Sequence, residues 1–338
     1  MNRKQISIAL QGGGVQSAFA WGVLDFFLND GRLDITGISS TGLGGMAGAA
    51  LMQGLITGSN NAASAMLREY WIGMNNVSKK MAPFISNPLE RIVNYYNFSE
   101  TNDVCEMKGI SPYDKNPLNI NPLLDFIDSF FDFNIINEEK NKKIFISSTH
   151  VETGKIKVFS NDDMCAQVLM ASFCLPHVFH SVEIDGEHYW DGGMVANPAI
   201  NPLINGVSSM DIVVIQLSKT ACFQAPKSYA DIENRIREIN YNAHLLREMR
   251  AIYFISNLID SGKIEKGSLK RINMHVVRNE SYNFKNVGKS GNFCSDWGAI
   301  MNLYTEGFNT AKKWLGANFE NIETEHSSLS DEIFGAYV

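Results

Sequence analysis

Two glycine-rich turns contain the residue types that could do chemistry in this chain. The first is Gly12-Gly13-Gly14, which follows an apolar segment at residues 6–10 and precedes a helical pattern. Backbone N–H groups at such a turn, backed by a helix N-terminus, can hold an anion. The turn therefore admits three interpretations: a tight turn that needs glycine, a dinucleotide-binding fingerprint, or an oxyanion hole for a developing alkoxide.

The dinucleotide-binding interpretation fits the residues poorly. A complete fingerprint reads G-x-G-x-x-G, and Ser17 stands at its last position. The acidic residue that binds the ribose should end the second strand, whereas Asp34 precedes the segment that predicts this strand.

The second turn favours the oxyanion-hole interpretation. Residues 37–48 run from a strand pattern through several glycines into a helix of small residues. A strand, a sharp turn and a helix are the setting of a nucleophile elbow, where the nucleophile sits at the apex between two glycines. Further along the chain, Asp191 ends a strand pattern and precedes Gly192 and Gly193, which by itself is typical of an Asx turn.

The elements that must position these turns alternate between strands and helices. Strand patterns at 6–10 and 35–39 are each followed by a helical pattern, at 17–28 and 46–55, which predicts a parallel sheet covered by helices. An apolar repeat of helical spacing that begins at Ile232 predicts a long amphipathic helix to about residue 260, and its part at 240–260 is expected to pack its apolar side on the sheet. Other strands are predicted at 143–149, 156–160, 182–184, 188–190, 212–217 and 272–277, the first two as a hairpin, and other helices at 165–173 and 296–315.

Composition excludes several classes of protein. The 338 residues are 45% hydrophobic with a formal net charge of −7, which is too apolar for a disordered chain and lacks the basic surface of a nucleic-acid-binding protein. Five scattered cysteines argue against a disulfide scaffold or a zinc cluster. We predict one domain over residues 1–320, a polar tail at 321–338, and at most peripheral membrane contact. The expected location is cytoplasmic, or exported without a classical signal peptide.

Several ordered motifs together resemble the bacterial patatin-like phospholipases. The resemblance covers about residues 5–320 and implies a three-layer α/β sandwich with a mostly parallel central sheet and helices on both faces. It also implies that Gly12, Gly13 and Gly14 form the oxyanion loop of a Ser–Asp dyad that hydrolyses lipid acyl esters without a metal or other cofactor. The motifs lie at residues 8–50, 111–122, 171–176, 189–193 and 245–251.

The nucleophilic serine of this family is missing from the chain. The family's elbow reads Gly-Thr-Ser-Ala-Gly, and the matching residues here are Ser40, Thr41, Gly42, Leu43 and Gly44. Gly42 therefore stands at the nucleophile position, where a residue without a side chain cannot form an acyl-enzyme. By the same resemblance, residue 191 is the acid of the dyad, retained without its serine.

The neighbours of Gly42 also depart from the family pattern. Ser17, Ser40 and Leu43 differ from the usual residues at their positions, and we interpret this cluster as natural loss of the nucleophile. The same departures predict that Gly42→Ser alone restores little hydrolysis. His177, His180 and His188 crowd one region of the sequence, but their spacing fits no standard metal site.

The resulting prediction is a catalytically inactive or impaired patatin homologue. Such a protein keeps a cleft for a lipid or acyl ligand, or a surface for a protein partner such as an active paralogue. The alternative is an active lipid acyl hydrolase that uses Ser40, Thr41 or an activated water, or one whose serine at position 42 has been replaced.

Overall fold

The strands of the protein build one mixed sheet. The computed structural model describes residues 3–85, 111–222, 224–265, 267–279 and 296–327, and the eight strands within them belong to a single sheet. They are β1 Lys4–Leu10, β2 Leu33–Ser40, β3 Lys143–His150, β4 Ile156–Phe159, β5 Val182–Ile184, β6 Glu187–Asp191, β7 Asp211–Gln216 and β8 Asn273–Arg278. Their order across the sheet is β5-β6-β3-β2-β1-β7-β8, with β4 paired to β3.

The larger part of this sheet is parallel. Strands β3, β2, β1, β7 and β8 are parallel to one another, whereas β4, β5 and β6 pair antiparallel. Strand β1, which leads into the glycine triplet, lies between β2 and β7. The predicted mostly parallel sheet and the predicted hairpin of β3 with β4 are both confirmed.

Helices cover both faces of the sheet. Along β7, Val213 and Ile215 face one core, which also contains residues of the helices before and after the sheet's first strands. The alternating residues Ile212 and Val214 face a second core on the opposite side. The predicted three-layer sandwich is therefore confirmed. The helices of the described residues are α1 Ser17–Asp30, α2 Gly42–Thr57, α3 Asn60–Ile85, α4 Pro112–Lys115, α5 Pro122–Phe130, α6 Phe133–Glu138, α7 Ala166–Ser172, α8 Asn201–Gly206, α9 Tyr229–Asp260 and α10 Trp297–Asn318.

Most element bounds agree with the sequence prediction to within a few residues, and α2 is the exception. The helix was predicted to start at residue 46, but it begins at Gly42, directly at the turn. Glycine has a low intrinsic helix propensity, which hides the first turn of α2 from a sequence pattern. The early start matters because it brings the N-terminus of α2 to the elbow.

Helix α9 packs on the sheet through its second half. Ile232, Ile236 and Ile239, which begin its apolar repeat, are 39–50% exposed. The second core is instead contacted by Leu245 and Met249. The predicted packing of residues 240–260 on the sheet is therefore confirmed, whereas the first part of α9 is more exposed, because its buried positions begin only near residue 242.

The described residues beyond 320 pack on the sheet. Ile322 is fully buried, the N–H of Glu323 donates to Asp211 Oδ1 at 2.8 Å, and the N–H of Met274 donates to His326 Nδ1 at 2.9 Å. Residues 328–338 of the predicted tail lie outside the described residues. None of the helices described above combines the length and the apolar composition needed to traverse a bilayer.

Helices α1 and α10 cross in backbone contact at two glycines. A Cβ atom on Gly22 would lie 1.9 Å from the carbonyl oxygen of Tyr304, and one on Gly307 would lie 2.0 Å from that of Phe19. Since no real Cβ approaches a backbone atom so closely, both positions need glycine. This crossing fixes α1 immediately behind the glycine triplet.

We predict that Gly307→Ala destabilises the protein whereas Gly316→Ala does not. At residue 307 the added methyl group must separate two helices, at a cost of about 1–3 kcal/mol. At Gly316, in the same helix, the methyl group meets no atom within 4 Å, so alanine should stabilise the helix by about 0.5–1 kcal/mol. Chemical denaturation gives the free energy of unfolding of the two variants. Equal changes in both would contradict the close backbone contact of α1 and α10 at Gly307.

Candidate active site

The glycine triplet follows the central strand β1 and is fixed by one asparagine. The N–H of Gly12 donates to Asn197 Oδ1 at 2.6 Å, and Asn197 Nδ2 donates back to the carbonyl of Gly12 at 3.0 Å. Gly14 has φ +60°, a conformation that favours glycine. Within the described part of the chain, the N–H groups of Gly13 and Gly14 have no hydrogen-bond partner. They are therefore available to a ligand.

The second turn has the geometry of an elbow. Thr41 is extended, and Gly42 follows with φ +60° as the first residue of α2. The N–H of Gly42 donates to Ser172 Oγ at 2.9 Å, and Ser172 Oγ donates to the carbonyl of Ser147 at 2.7 Å. A Cβ atom on Gly44 would lie 2.6 Å from the carbonyl oxygen of Gln11, so the two turns touch through their backbones.

Asp191 faces the apex of this elbow from the end of β6. A Cβ atom built on Gly42 would lie 3.9 Å from Asp191 Oδ1, close enough for a hydroxyl on that Cβ to reach the carboxylate. The same oxygen accepts a hydrogen bond from the N–H of Gly193 at 3.0 Å, so the Asx turn typical of the sequence is present as well. Thr149 Oγ1 donates to the Asp191 carbonyl at 2.7 Å, which ties the turn to β3.

Burial makes the Asp191 carboxyl unusually weak as an acid. Asp191 is only 9% exposed, and this burial raises the pKa of its carboxyl to about 6. The hydrogen bond from Gly193 acts in the opposite direction and lowers the pKa, but its effect is smaller. Burial, and then the nearby Asp191 charge, raise the pKa of Cys174 to about 12. The Cys174 thiol donates to the His180 carbonyl and stays neutral, so it is no nucleophile.

Most of the predicted site residues line a single cleft, whose empty space is about 390 Å³ with the open solvent at its mouth included. The cleft brings the glycine triplet, Thr41, Gly42, Leu43 and Asp191 together, whereas Ser40 and Gly44 do not line it. The sequence assigned no role to the remaining lining residues. Phe173 and Leu175 lie in a motif that carries the resemblance, Gly193 lies in the Asp-Gly-Gly turn, and Asn197 and Tyr241 have no such signal. The additional lining residues are Phe173, Leu175, Gly193, Asn197 and Tyr241.

The hydroxyl groups beside Gly42 have other environments. Ser40 is fully buried, and its Oγ lies 2.8 Å from the position of a Cβ on Gly48, which directs it toward α2. Thr41 Oγ1 donates to the carbonyl of Ala196 at 3.2 Å. Neither hydroxyl has a hydrogen bond to Asp191 among the described contacts.

The three histidines do not converge. His180 Nε2 lies 3.2 Å from the carbonyl of Pro112, and His188 Nδ1 lies 3.1 Å from Ser181 Oγ. His177 is exposed. Asp34, the candidate ribose ligand, forms an ion pair with Lys142 at 3.2 Å near the start of β2, at the end of the strand opposite the elbow.

Comparisons with known proteins identify the family. The fold and the elbow define a hydrolase-type α/β protein. The sequence profile described as patatin-like phospholipase matches residues 8–204, which include both turns and Asp191. This is more than half of the chain, which therefore belongs to the patatin-like phospholipase family.

More distant likenesses are found among solved structures. VipD from Legionella pneumophila has 14% sequence identity and a TM-score of 0.40; the match covers 93% of this chain and 67% of that one. A structure of full-length SpcU in complex with full-length ExoU from Pseudomonas aeruginosa has 15% identity and a TM-score of 0.29. That match covers 73% of this chain and 53%, about half, of the other. No curated protein matches in sequence.

We predict that Asp191→Asn has a more favourable effect on the free energy of unfolding, compared with the parent, at high pH than at low pH. A carboxyl whose folded pKa is raised contributes stability that is present below its unfolded pKa and is lost as pH rises through about 6. The asparagine does not titrate and can keep the bond to Gly193. The free energy of unfolding of the variant, compared with the parent, should therefore improve by about 2–3 kcal/mol between pH 4 and pH 8.

The measurement is denaturant unfolding at both pH values. Asp162, an exposed residue paired with Lys140, provides the matched control, since Asp162→Asn should show no comparable gain at high pH. An Asp191→Asn difference that is constant with pH would show that Asp191 titrates normally.

Proposed function

We propose that this chain is a patatin-family protein without serine hydrolase turnover, whose cleft binds a lipid or acyl ligand. The observation that carries the proposal is the residue at the elbow apex, where Gly42 faces Asp191 and the free N–H groups of the glycine triplet. Without a hydroxyl there, no acyl-enzyme forms. Removing a nucleophile elsewhere leaves only the residual effects of binding and of the oxyanion hole.

The neighbouring side chains support this proposal. The Ser40 hydroxyl is buried against α2, and the Thr41 hydroxyl is bonded to a backbone carbonyl, so neither matches an apex nucleophile. The cleft also has the two parts that an acyl ligand needs: apolar walls from Leu43, Phe173 and Leu175, and a polar end at the glycine triplet.

A second candidate is a hydrolase that activates water. It is favoured by Asp191, whose pKa of about 6 suits a general base near neutral pH and whose carboxyl borders the space above Gly42. The two candidates differ in turnover: the first has none that depends on Asp191, whereas the second hydrolyses esters without forming a covalent intermediate.

We expect the purified protein to hydrolyse p-nitrophenyl esters and phospholipids no faster than Asp191→Ala. A fluorophosphonate probe should leave it unlabelled, because only an activated serine reacts. Ester turnover that depends on Asp191 without labelling would favour the water-activating candidate. Labelling of the parent protein would defeat both candidates and reveal an unrecognised nucleophile.

The apex has room for a serine side chain. The nearest atoms to a Cβ on Gly42 are Gly12 Cα at 3.8 Å, and Asp191 Oδ1 and Phe173 Cδ2 at 3.9 Å, which are ordinary contacts. This geometry favours a larger gain of serine reactivity in Gly42→Ser than the sequence alone predicts. We therefore expect Gly42→Ser to gain fluorophosphonate labelling, and the double variant with Asp191→Asn to lose most of it.

The same substitution should cost stability. A non-glycine residue at φ +60° costs about 1–2 kcal/mol, so Gly42→Ser should lower the free energy of unfolding by about that amount. Gly42→Ala is the matched control: it should carry the same backbone strain and gain no labelling. Equal stability of all three proteins would mean that residue 42 is not held in this conformation.

A further inference from the structure

We propose that the cleft takes a free carboxylic acid with an apolar chain, and that the protonated carboxyl of Asp191 donates a hydrogen bond to the carboxylate of this ligand. The inference rests on the proposed function, since it places the head group where a working enzyme would hold its serine. It names the chemical class of the ligand.

The missing side chain at residue 42 leaves space for one ligand oxygen. A serine Cβ would fit there in ordinary contact with Gly12, Phe173 and Asp191. An oxygen atom of a planar carboxylate is smaller than a CH₂OH group and can occupy the same position above the Gly42 Cα. The rest of the ligand then extends past Phe173 and Leu175 toward the open mouth of the cleft.

One side of this space offers backbone hydrogen-bond donors. Gly13 and Gly14 line the cleft, and their N–H groups have no partner within the described residues. The N–H of Leu43, also in the cleft lining, is likewise unpartnered in the described part of the chain, whereas those of Gly42 and Gly45 are bonded. Leu43 belongs to the first turn of the 16-residue helix α2, whose dipole favours a negative charge at this end.

The other side offers the Asp191 carboxyl. Its Oδ1 accepts the N–H of Gly193 and also lies 3.9 Å from the position of a Cβ on Gly42, so a proton on this carboxyl can reach a ligand oxygen in that space. When Asp191 is ionised, two carboxylates would face each other at short range and repel. When it is protonated, one proton is shared between the two carboxyl groups, as in other close carboxyl pairs.

The charges around the cleft select a monoanion. Among the described lining residues, Asp191 and Tyr241 are the only ionisable ones, and no Lys, Arg or His is present to hold a phosphate dianion. The Cys174 thiol behind Asp191 is neutral, with a pKa of about 12. Apolar walls from Phe173 and Leu175 favour an alkyl chain beyond the head group.

The geometry requires binding to depend on pH. Since the pKa of Asp191 is about 6, the affinity for a carboxylate should fall about tenfold for each pH unit above that value. An alcohol of the same chain length carries no charge, so its affinity should stay constant over the same range.

The test is calorimetric titration of the full chain with decanoate and with decanol from pH 5 to pH 8. We expect decanoate to bind at least tenfold more weakly at pH 8 than at pH 5, and decanol to bind equally at both. Asp191→Asn should bind decanoate with a flat pH profile, because its amide donates at every pH. His177→Asn is the matched control for an exposed histidine near the cleft, and it should keep the parent profile.

The outcomes separate the inference from the function on which it rests. Flat decanoate binding by the parent, or a profile that His177→Asn abolishes, would overturn the inference. If decanol still binds, the proposed acyl cleft survives that failure; if neither ligand binds, both fail. Asp191-dependent ester hydrolysis would overturn the proposed function whatever decanoate does. If Asp191→Asn does not fold, the pH profiles of decanoate and decanol binding by the parent and by His177→Asn still test the inference.

Discussion

Backbone contact between the two glycine turns is the constraint on which the site depends. A Cβ on Gly12 would lie 2.6 Å from the carbonyl oxygen of Thr41, and one on Gly44 would lie 2.6 Å from that of Gln11. Each turn therefore fits against the other only because both glycines lack a side chain. This contact brings the end of β1 and the start of α2 together, so that free N–H groups from both turns face one space.

Buried amide side chains extend this constraint to the far wall of the cleft. Gln11 Oε1 accepts the N–H of Leu217 at 2.8 Å, and Gln11 Nε2 donates to Asn242 Oδ1 at 3.2 Å. Asn242 also accepts a hydrogen bond from Gln216 Nε2 at 2.7 Å. Helix α9 is thereby joined to the carboxyl ends of β1 and β7, which positions Tyr241 beside the triplet. Loss of one of these buried bonds would leave a polar group unsatisfied.

Features encoded by a few adjacent residues could be predicted from the sequence. The glycine triplet, the elbow and the Asp-Gly-Gly turn are local motifs, and their resemblance to the family places Gly42 at the apex and Asp191 opposite it. Tyr241 could not be found in this way, because only the packing of α9 brings it to the glycine triplet. The side chain of Gln11, 230 positions earlier in the chain, donates to the Tyr241 carbonyl at 3.4 Å. The exposure of Ile232 and of the repeat residues that follow it could not be predicted, because periodicity identifies an apolar face and not what covers it.

The Asp-Gly-Gly turn is held by contacts that do not involve the elbow. Asp191 accepts a bond from Gly193, and its own backbone is held by Cys174 and Thr149, none of which involves the apex residue. These contacts hold the aspartate in place whatever residue stands at the elbow apex. An aligned aspartate is therefore not evidence of catalysis in a patatin-like sequence. The residue at the elbow apex is the evidence for activity, whereas the aspartate indicates only that the turn is folded.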